Sequence, residues 1–244
     1  AEMIESFCGR SDMPDYSRVT NPTVTYFERK VQALTGAEDV VAFGSGMAAI
    51  ANTLFCLASA GRTIVTSRHL FGNTLALVQD TMARFGVGLR FCDLTDTADV
   101  EAALDDTTCC IFMEVMTNPQ LEVADIAALS SLAHKHRLPL IADTTMVPFI
   151  VFDGKALGID VEVVSSTKYI SGGATSIGGL VILHAAESDF KRRMRQEMLM
   201  NFGAYMTPHV AYMQTLGLET LAVRYEKQTQ NAQAMAEALQ HMPE

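Results

Sequence analysis

The chain has 244 residues, 49% of them apolar and 19% charged, and 18 basic against 28 acidic side chains leave it with a net charge of −10. A composition this apolar excludes a disordered chain, and the acidic balance argues against a nucleic-acid partner, which would need clustered Lys and Arg. The length means one large domain or a domain plus a fragment, and a chain of this size buries roughly 70–75% of its unfolded surface without needing a disulfide or metal.

No apolar run approaches the ~18 residues of a membrane span, and no basic-then-apolar leader opens the chain. The chain begins at Ala1 and ends inside a helix-like pattern, so both ends are expected to be cut. The five cysteines show no C-x-x-C spacing. Cys56 sits in an apolar helical run and Cys109 and Cys110 in an apolar strand-like run, so they read as buried reduced thiols, which suits a cytoplasmic protein.

In chain order, residues 1–23 carry Gly9, Pro14 and Pro22 and read as an arm. Thr25 and Glu28 have capping-box spacing and would open a helix with Phe27, Val31 and Leu34 on one face. Gly44–Ser45–Gly46–Met47 opens a helical run, Ala48–Leu57. From Arg62 the pattern alternates. Strands are predicted at Thr63–Thr66, Val87–Cys92, Cys109–Val115, Leu138–Ala142, Asp160–Ser165 and Gly179–Leu183, short and almost continuously apolar, as strands buried on both faces should be. Helical windows fall at Gly72–Arg84, Asp99–Leu104 and Ala124–His136. Leu218, Leu221, Tyr225, Ala232, Met235 and Leu239 form a final amphipathic stripe. The repeated strand–helix–strand order implies an α/β fold with a mostly parallel sheet and helices on both faces. Ligands in such folds bind beyond the carboxyl ends of the strands.

The chemistry-bearing residues are therefore sought just after the strands. Of the lysines, only Lys168 follows a predicted buried strand, where burial would lower its pKa from ~10.4 and make it an amine nucleophile for an aldehyde. The alternative is a lysine snorkelling from a strand end. Asp143 ends another apolar strand; alone it reads as a helix cap, but beside Lys168 it supplies the acid that keeps a pyridine ring nitrogen protonated, as pyridoxal phosphate requires. Gly46 and Met47 at a helix N-terminus offer free amides to a phosphate, though a plain turn reads the same way. The hydroxyls of Ser165 and Thr167 would point to one side of a strand. His134 and His136 do not share a helix face, no metal site is expected, and the 14 methionines read as core filler. Glu114 reads either as catalytic or as the partner of a nearby backbone group.

The motifs Tyr16–Ser17–Arg18, Asn21–Pro22–Thr23, Ser45–Gly46–Met47, Phe71–Gly72, Asn118–Pro119, Asp143, Ser165–Ser166–Thr167–Lys168 and Gly217–Leu218–Glu219–Thr220–Leu221 occur in one order. In this the chain, from about Glu2 to its end, resembles the Cys/Met-metabolism (transsulfuration) family of pyridoxal-phosphate enzymes. The resemblance implies the fold-type-I, aspartate-aminotransferase-like architecture. It divides the chain into an arm (1–23) reaching a neighbouring subunit, a large cofactor-binding domain (24–216), and a helix (217–244) beginning a truncated C-terminal domain. It implies that Lys168 holds the cofactor aldehyde, that Asp143 meets the ring nitrogen, and that Gly46, Met47, Ser165 and Thr167 bind the phosphate. Phe71 would stack on the ring, Asn118 would lie near the phenolic oxygen, and Tyr16 and Arg18 would reach the phosphate of the neighbouring subunit in a homodimer or homotetramer. Phe71 stands where the family usually has a tyrosine, Asn73 where the methionine γ-lyases carry a cysteine, and Gly173 where a histidine is common. The segment Asp143–Pro148 looks one residue short, and Thr175–Gly179 and Asn201–Ala204 look more like O-acetylhomoserine or O-succinylhomoserine sulfhydrylases than lyases. The expected reaction is replacement at the γ-carbon of an activated homoserine ester by sulfide or a thiol. Lyase-type elimination, or an inactive cofactor-binding fragment, are the alternatives.

Overall fold

The computed structural model describes residues 4–5, 14, 16–185 and 188–242. Most of the expected arm, residues 1–23, lies outside them. Helix α1, Pro22–Thr35, leads into β1, Asp39–Phe43, and α2, Gly46–Leu57. Strand β2, Thr63–Thr66, is followed by α3, Gly72–Ala76, which loosens into a π turn, Leu77–Thr81, and a 3-10 turn, Met82–Phe85. Then come β3, Gly88–Phe91; α4, Thr97–Ala103; β4, Thr108–Glu114; α5, Ile126–Lys135; β5, Leu140–Asp143; β6, Val161–Val164; and β7, Gly179–Leu183. Helix α6, Ser188–Arg193, continues through a π turn, Met194–Leu199, into α7, Met200–Phe202, and α8 runs from Pro208 to Gln240.

The strands form one seven-stranded sheet in the order β1-β7-β6-β5-β4-β2-β3. Strands β2 to β6 pair in parallel, while β7 is antiparallel to both β1 and β6. The mostly parallel α/β sheet of the sequence reading is thus observed. Alternate residues of the strands feed opposite cores. Val161, Val163, Val181 and Leu183 face α2, which contributes Ile50 and Leu54. Leu180 and Ile182 face α1 and α8, where Phe27, Val31 and Leu218 pack, and Ile111, Met113 and Leu140 face α5. The helices start where the side chains say they should: Ser45, Asp96, Asp125 and Thr207 each accept a hydrogen bond from an amide of the first turn, each such cap stabilising its helix by about 1 kcal/mol.

Several local expectations change. α1 begins at Pro22, with the Asn21 side chain accepting from the Thr23 amide, so Thr25 and Glu28 form no capping box. Proline is suited to the first helical turn because its missing N–H would have had no partner there. Glu28 is instead buried, accepting from the Ala42 amide at 2.8 Å. Strand β1 and the helices around Met194 were not anticipated. The apolar run Val40–Phe43 is as buried as any other strand, but it precedes the alternation that starts at Arg62. β3 is only half-buried because it forms the sheet edge. Helix α8 crosses the expected boundary at 217 without a break; its stripe is buried at Leu218 and Leu221 but exposed at Met235 and Leu239.

His134 and His136 point to separate carboxylates, Asp160 at 2.9 Å and Glu101 at 3.4 Å. Among the described residues no group of three metal-ligating side chains comes together. The four described cysteines are free thiols, with Cys56, Cys109 and Cys110 buried, and no described helix is long and apolar enough to cross a membrane.

Candidate active site

A cleft of about 510 Å³ opens beyond the carboxyl ends of β4, β5 and β6, against the N-terminus of α2. Gly46, Met47, Phe71, Asn118, Asp143, Ser165, Thr167 and Lys168 all line it. Eight residues singled out along more than a hundred positions of sequence thus meet at one place.

The phosphate end is built by close approach. A Cβ on Gly46 would lie 2.6 Å from Ser165 Cβ, so only glycine lets the first turn of α2 meet the loop after β6. A Cβ on Gly179 would lie 2.1 Å from the Ser45 carbonyl oxygen, which seats the same turn against β7. Ser45 Oγ caps the helix through the Ala48 amide at 3.0 Å. Gly46 and Met47 are the first two helical residues, and their amides have no intrahelical acceptor. Helix dipole and free amides together favour an anion at this point.

Ser165 and Thr167 do not share a strand face, as β6 ends at Val164 and both lie in the turn that follows. The Thr167 hydroxyl donates to the Gly178 carbonyl at 3.2 Å and accepts from the Gly178 amide at 3.0 Å. Its observed work is to tie the Lys168 loop to β7. Ser165 receives its fixed position through its amide, which donates to Thr145 Oγ1 at 2.8 Å.

Lys168 stands exposed in the cleft rather than buried, with its amide donating to the Ser165 carbonyl at 3.2 Å. Its Nζ has no hydrogen-bond or ion-pair partner among the described residues. The turn that ends β6 carries the side chain past the strand end into the opening, which the strand-end reading could not separate from burial.

Asp143 is the last residue of β5 and pairs in register with Glu114, the last of β4. Its Oδ1 accepts from the Thr145 amide at 2.9 Å. Desolvation pushes its pKa above the ordinary carboxylate value, against the smaller opposing effect of the Thr145 hydroxyl and amide. No cationic side chain pairs with it among the described residues. Glu114 is buried, with Oε1 accepting from the Phe71 amide at 2.6 Å and Oε2 from the Asn118 amide at 3.0 Å. Burial first, and the Asp143 charge to a lesser degree, push its pKa up to about 7 against those two amides. Of its two readings, the structure shows the backbone partner.

Tyr16 and Arg18 do not line this cleft. Arg18 lies over the Tyr16 ring, 4.9 Å from its centroid, and its Nη1 donates to the Met200 carbonyl. Sequence reasoning missed Thr145, which joins Asp143 to Ser165; a hydroxyl two residues after a strand-end aspartate is the signal that would have found it. It also missed the apolar wall. Met47, Met116, Met146 and Ile177 line the cleft, so these three methionines are not core filler alone, although Met47 also packs against the core.

The profile of the family described as Cys/Met metabolism PLP-dependent enzyme matches residues 2–244. L-methionine gamma-lyase of Pseudomonas deceptionensis is 36% identical over 239 residues, covering 97% of this chain and 59% of that protein. The solved O-acetylhomoserine sulfhydrylase of Wolinella succinogenes is 46% identical with a TM-score of 0.85, over 91% of this chain and 68% of that one. A putative O-acetylhomoserine (thiol)-lyase of Campylobacter jejuni, solved with a pyridoxyl-lysine-5'-monophosphate, is 30% identical with a TM-score of 0.94, over 99% of this chain and 68% of that one. The chain therefore spans about 59% of the length of the curated relatives it matches.

The donor set in the cleft fits such a group. A half-buried, desolvated carboxylate with no cation among the described residues suits a protonated ring nitrogen, an unpartnered amine suits an aldehyde, and the bare helix N-terminus suits a phosphate.

Proposed function

We propose, for a chain that belongs to the Cys/Met metabolism PLP-dependent enzyme family, that the full protein replaces the γ-substituent of an activated homoserine ester, O-acetyl- or O-succinylhomoserine, with sulfide or a thiol. The observation that carries the reading is the unpartnered amine of Lys168 in a cleft whose floor is the uncompensated carboxylate of Asp143. Pyridoxal phosphate, when bound, supplies an aldehyde for an amine and a protonated ring that draws electrons from the substrate's α-carbon.

The chain's residues divide the remaining work. Asp143 holds the proton on the ring nitrogen. Gly46 and Met47 amides and the Ser165 side hold the phosphate, Phe71 covers the ring face, and Asn118 stands at the phenolic side. Lys168, exposed and unbonded at Nζ, is free to move protons between the α- and β-carbons of the amino acid. Each such transfer by a positioned base contributes about 10²–10⁴-fold. The acyloxy group leaves with the γ-carbon–oxygen bond pair as acetate or succinate, and hydrosulfide supplies the pair that makes the new carbon–sulfur bond, giving homocysteine. Met116, Met146 and Ile177 line the cleft, and an apolar wall that disfavours water there would support replacement over elimination. Tyr16 and Arg18, turned away from the cleft of their own chain, would serve the phosphate of a second copy in a homodimer or homotetramer. The free thiols suit a cytoplasmic setting.

Elimination is the second reading, supported by the 36% identity to a methionine gamma-lyase. Product analysis of the full-length protein separates the two. Homocysteine and acetate or succinate from the esters with sulfide are expected; 2-oxobutanoate from methionine alone, without homocysteine from either ester, would replace this reading with a lyase.

A further inference from the structure

We infer that Glu114 is the positioning residue that holds Phe71 and Asn118 in register on the cofactor, so that one carboxylate sets both the stacked face and the phenolic edge of the ring. The inference rests on the functional reading above and extends it to a residue that does not itself meet the substrate.

Phe71 and Asn118 belong to different loops, one after β2 and one after β4. What joins them is a single side chain. Glu114 Oε1 accepts from the Phe71 amide at 2.6 Å and Oε2 from the Asn118 amide at 3.0 Å. The Phe71 carbonyl accepts from the Leu75 amide at 3.0 Å, a tie within its own segment, so Glu114 is what fixes that segment to the sheet. Phe71 precedes α3, a helix of 5 residues, with no side-chain cap, and its ring is 43% exposed into the opening. A ring this open keeps its orientation only if its backbone is held. Glu114 in turn is rigid, being the last residue of a central strand and 7% exposed. Its register neighbour is Asp143, so the strand ends that hold the ring nitrogen and orient the ring face are one hydrogen-bonded unit.

The carboxylate is required by count. Ionised, as it is above about pH 7 where the test is run, it accepts two amide N–H groups, one on each oxygen, whereas a carboxamide of the same shape offers one acceptor oxygen and turns an NH₂ toward the other amide. Glu114→Gln therefore keeps the volume and breaks one of the two ties. Losing one hydrogen bond to a charged acceptor should weaken cofactor binding on the order of 10-fold or more.

The test is a double-mutant cycle on the full-length protein, read by titrating apoprotein with pyridoxal phosphate and by the visible circular dichroism of the bound cofactor. Glu114→Gln and Phe71→Ala should each weaken binding by about 10-fold, and the double variant by about 20-fold rather than 100-fold, because both remove the same restraint. Glu114→Gln should also diminish the visible dichroism, which reports ring orientation. Losses that multiply to about 100-fold, or a Gln variant with unaltered dichroism, would overturn the inference. If the Gln variant does not fold, Glu114→Asp, which withdraws both oxygens by one methylene, decides it by the same two readings. A wild-type protein that binds no pyridoxal phosphate would instead sink the functional reading, so the two failures are distinguishable.

Discussion

Buried carboxylates occur in two regions of this molecule, and they are treated in opposite ways. In the scaffold each finds its counterpart within the chain. Glu162, on β6, receives His184 Nε2 at 2.6 Å and the Thr144 hydroxyl at 2.7 Å. Asp160 receives His134 and the Leu140 amide, and Glu28 meets Arg195 as well as the Ala42 amide. In the cleft, Asp143 and Glu114 lie side by side at the ends of β5 and β4 with no cation from any described residue. An isolated buried charge is costly enough that it is normally paired or neutralised. The cleft pair is thus left to protonation or to a partner the chain does not contain, and under the proposed function a protonated pyridine ring over Asp143 would be that partner.

The sharpest way to break that contrast is to remove the amine that would bring the ring in. Lys168→Ala in the full-length protein should abolish the visible absorption of the lysine-linked cofactor and lower turnover by about 10²–10⁴-fold. A variant retaining both would refute the lysine's role. Asp143→Asn should give effects of opposite sign in the two states. With cofactor, losing the counter-charge of a desolvated cation costs about 3–5 kcal/mol, or roughly 10²–10⁴-fold in affinity. Without cofactor, the same substitution removes a desolvated carboxylate that nothing compensates, so the apoprotein should melt at a higher temperature. Glu162→Gln, made in the scaffold, should lower the melting temperature instead. Two shifts of the same sign would erase the distinction between the regions.

A smaller effect follows from protonation. Glu114 is raised from 4.5 to about 7, so between those values the native apoprotein holds a proton that the unfolded chain does not. Its contribution favours the fold fully below pH 4.5 and is lost as pH rises through about 7, and Asp143, raised for the same reason, acts in the same direction. The amplitude for Glu114 is on the order of 3 kcal/mol. Denaturation of the apoprotein across this window should show stability falling with pH, with a shallower fall in Glu114→Gln. An identical slope in that variant would place the titration elsewhere.

The legible part of this protein is the part that chain order controls. β2 and β7 fall on their predicted bounds, and the other four strands differ by one or two residues, because strands buried on both faces, whichever way they pair, leave uninterrupted apolar runs. The cleft residues were legible for a related reason: in a parallel sheet the residues after consecutive strands meet at one edge, so Asp143 and Lys168 had to be neighbours. What was hidden depends on side-chain direction. Thr25 and Glu28 have the right spacing for a cap, yet Pro22 starts the helix earlier and the β1 backbone claims the Glu28 carboxylate. The Thr167 hydroxyl is claimed by Gly178 for similar reasons, and the exposure of Lys168 follows from where β6 stops. The double duty of Glu114 needs two loops distant in sequence, which no local pattern records.

The smallest departure of the cleft from the pattern of the family it resembles is one oxygen atom, at Phe71. Phe71, which the proposed function puts over the ring, has no hydroxyl, and its side chain is open to the cleft. Phe71→Tyr keeps the stacked area and adds a phenol that can donate a proton to a departing group, or hold a water near the carbon that sulfide would attack. The expected result is a higher ratio of 2-oxobutanoate to homocysteine from O-acetylhomoserine with sulfide, by up to about 10-fold, which is a barrier difference of about 1.4 kcal/mol. Cofactor affinity should stay close to that of the wild type, since the backbone tie to Glu114 is untouched. A changed ratio with unchanged affinity assigns the preference to the missing hydroxyl. An unchanged ratio assigns it to the apolar wall of Met116, Met146 and Ile177, which would then control the access of water without help from the ring.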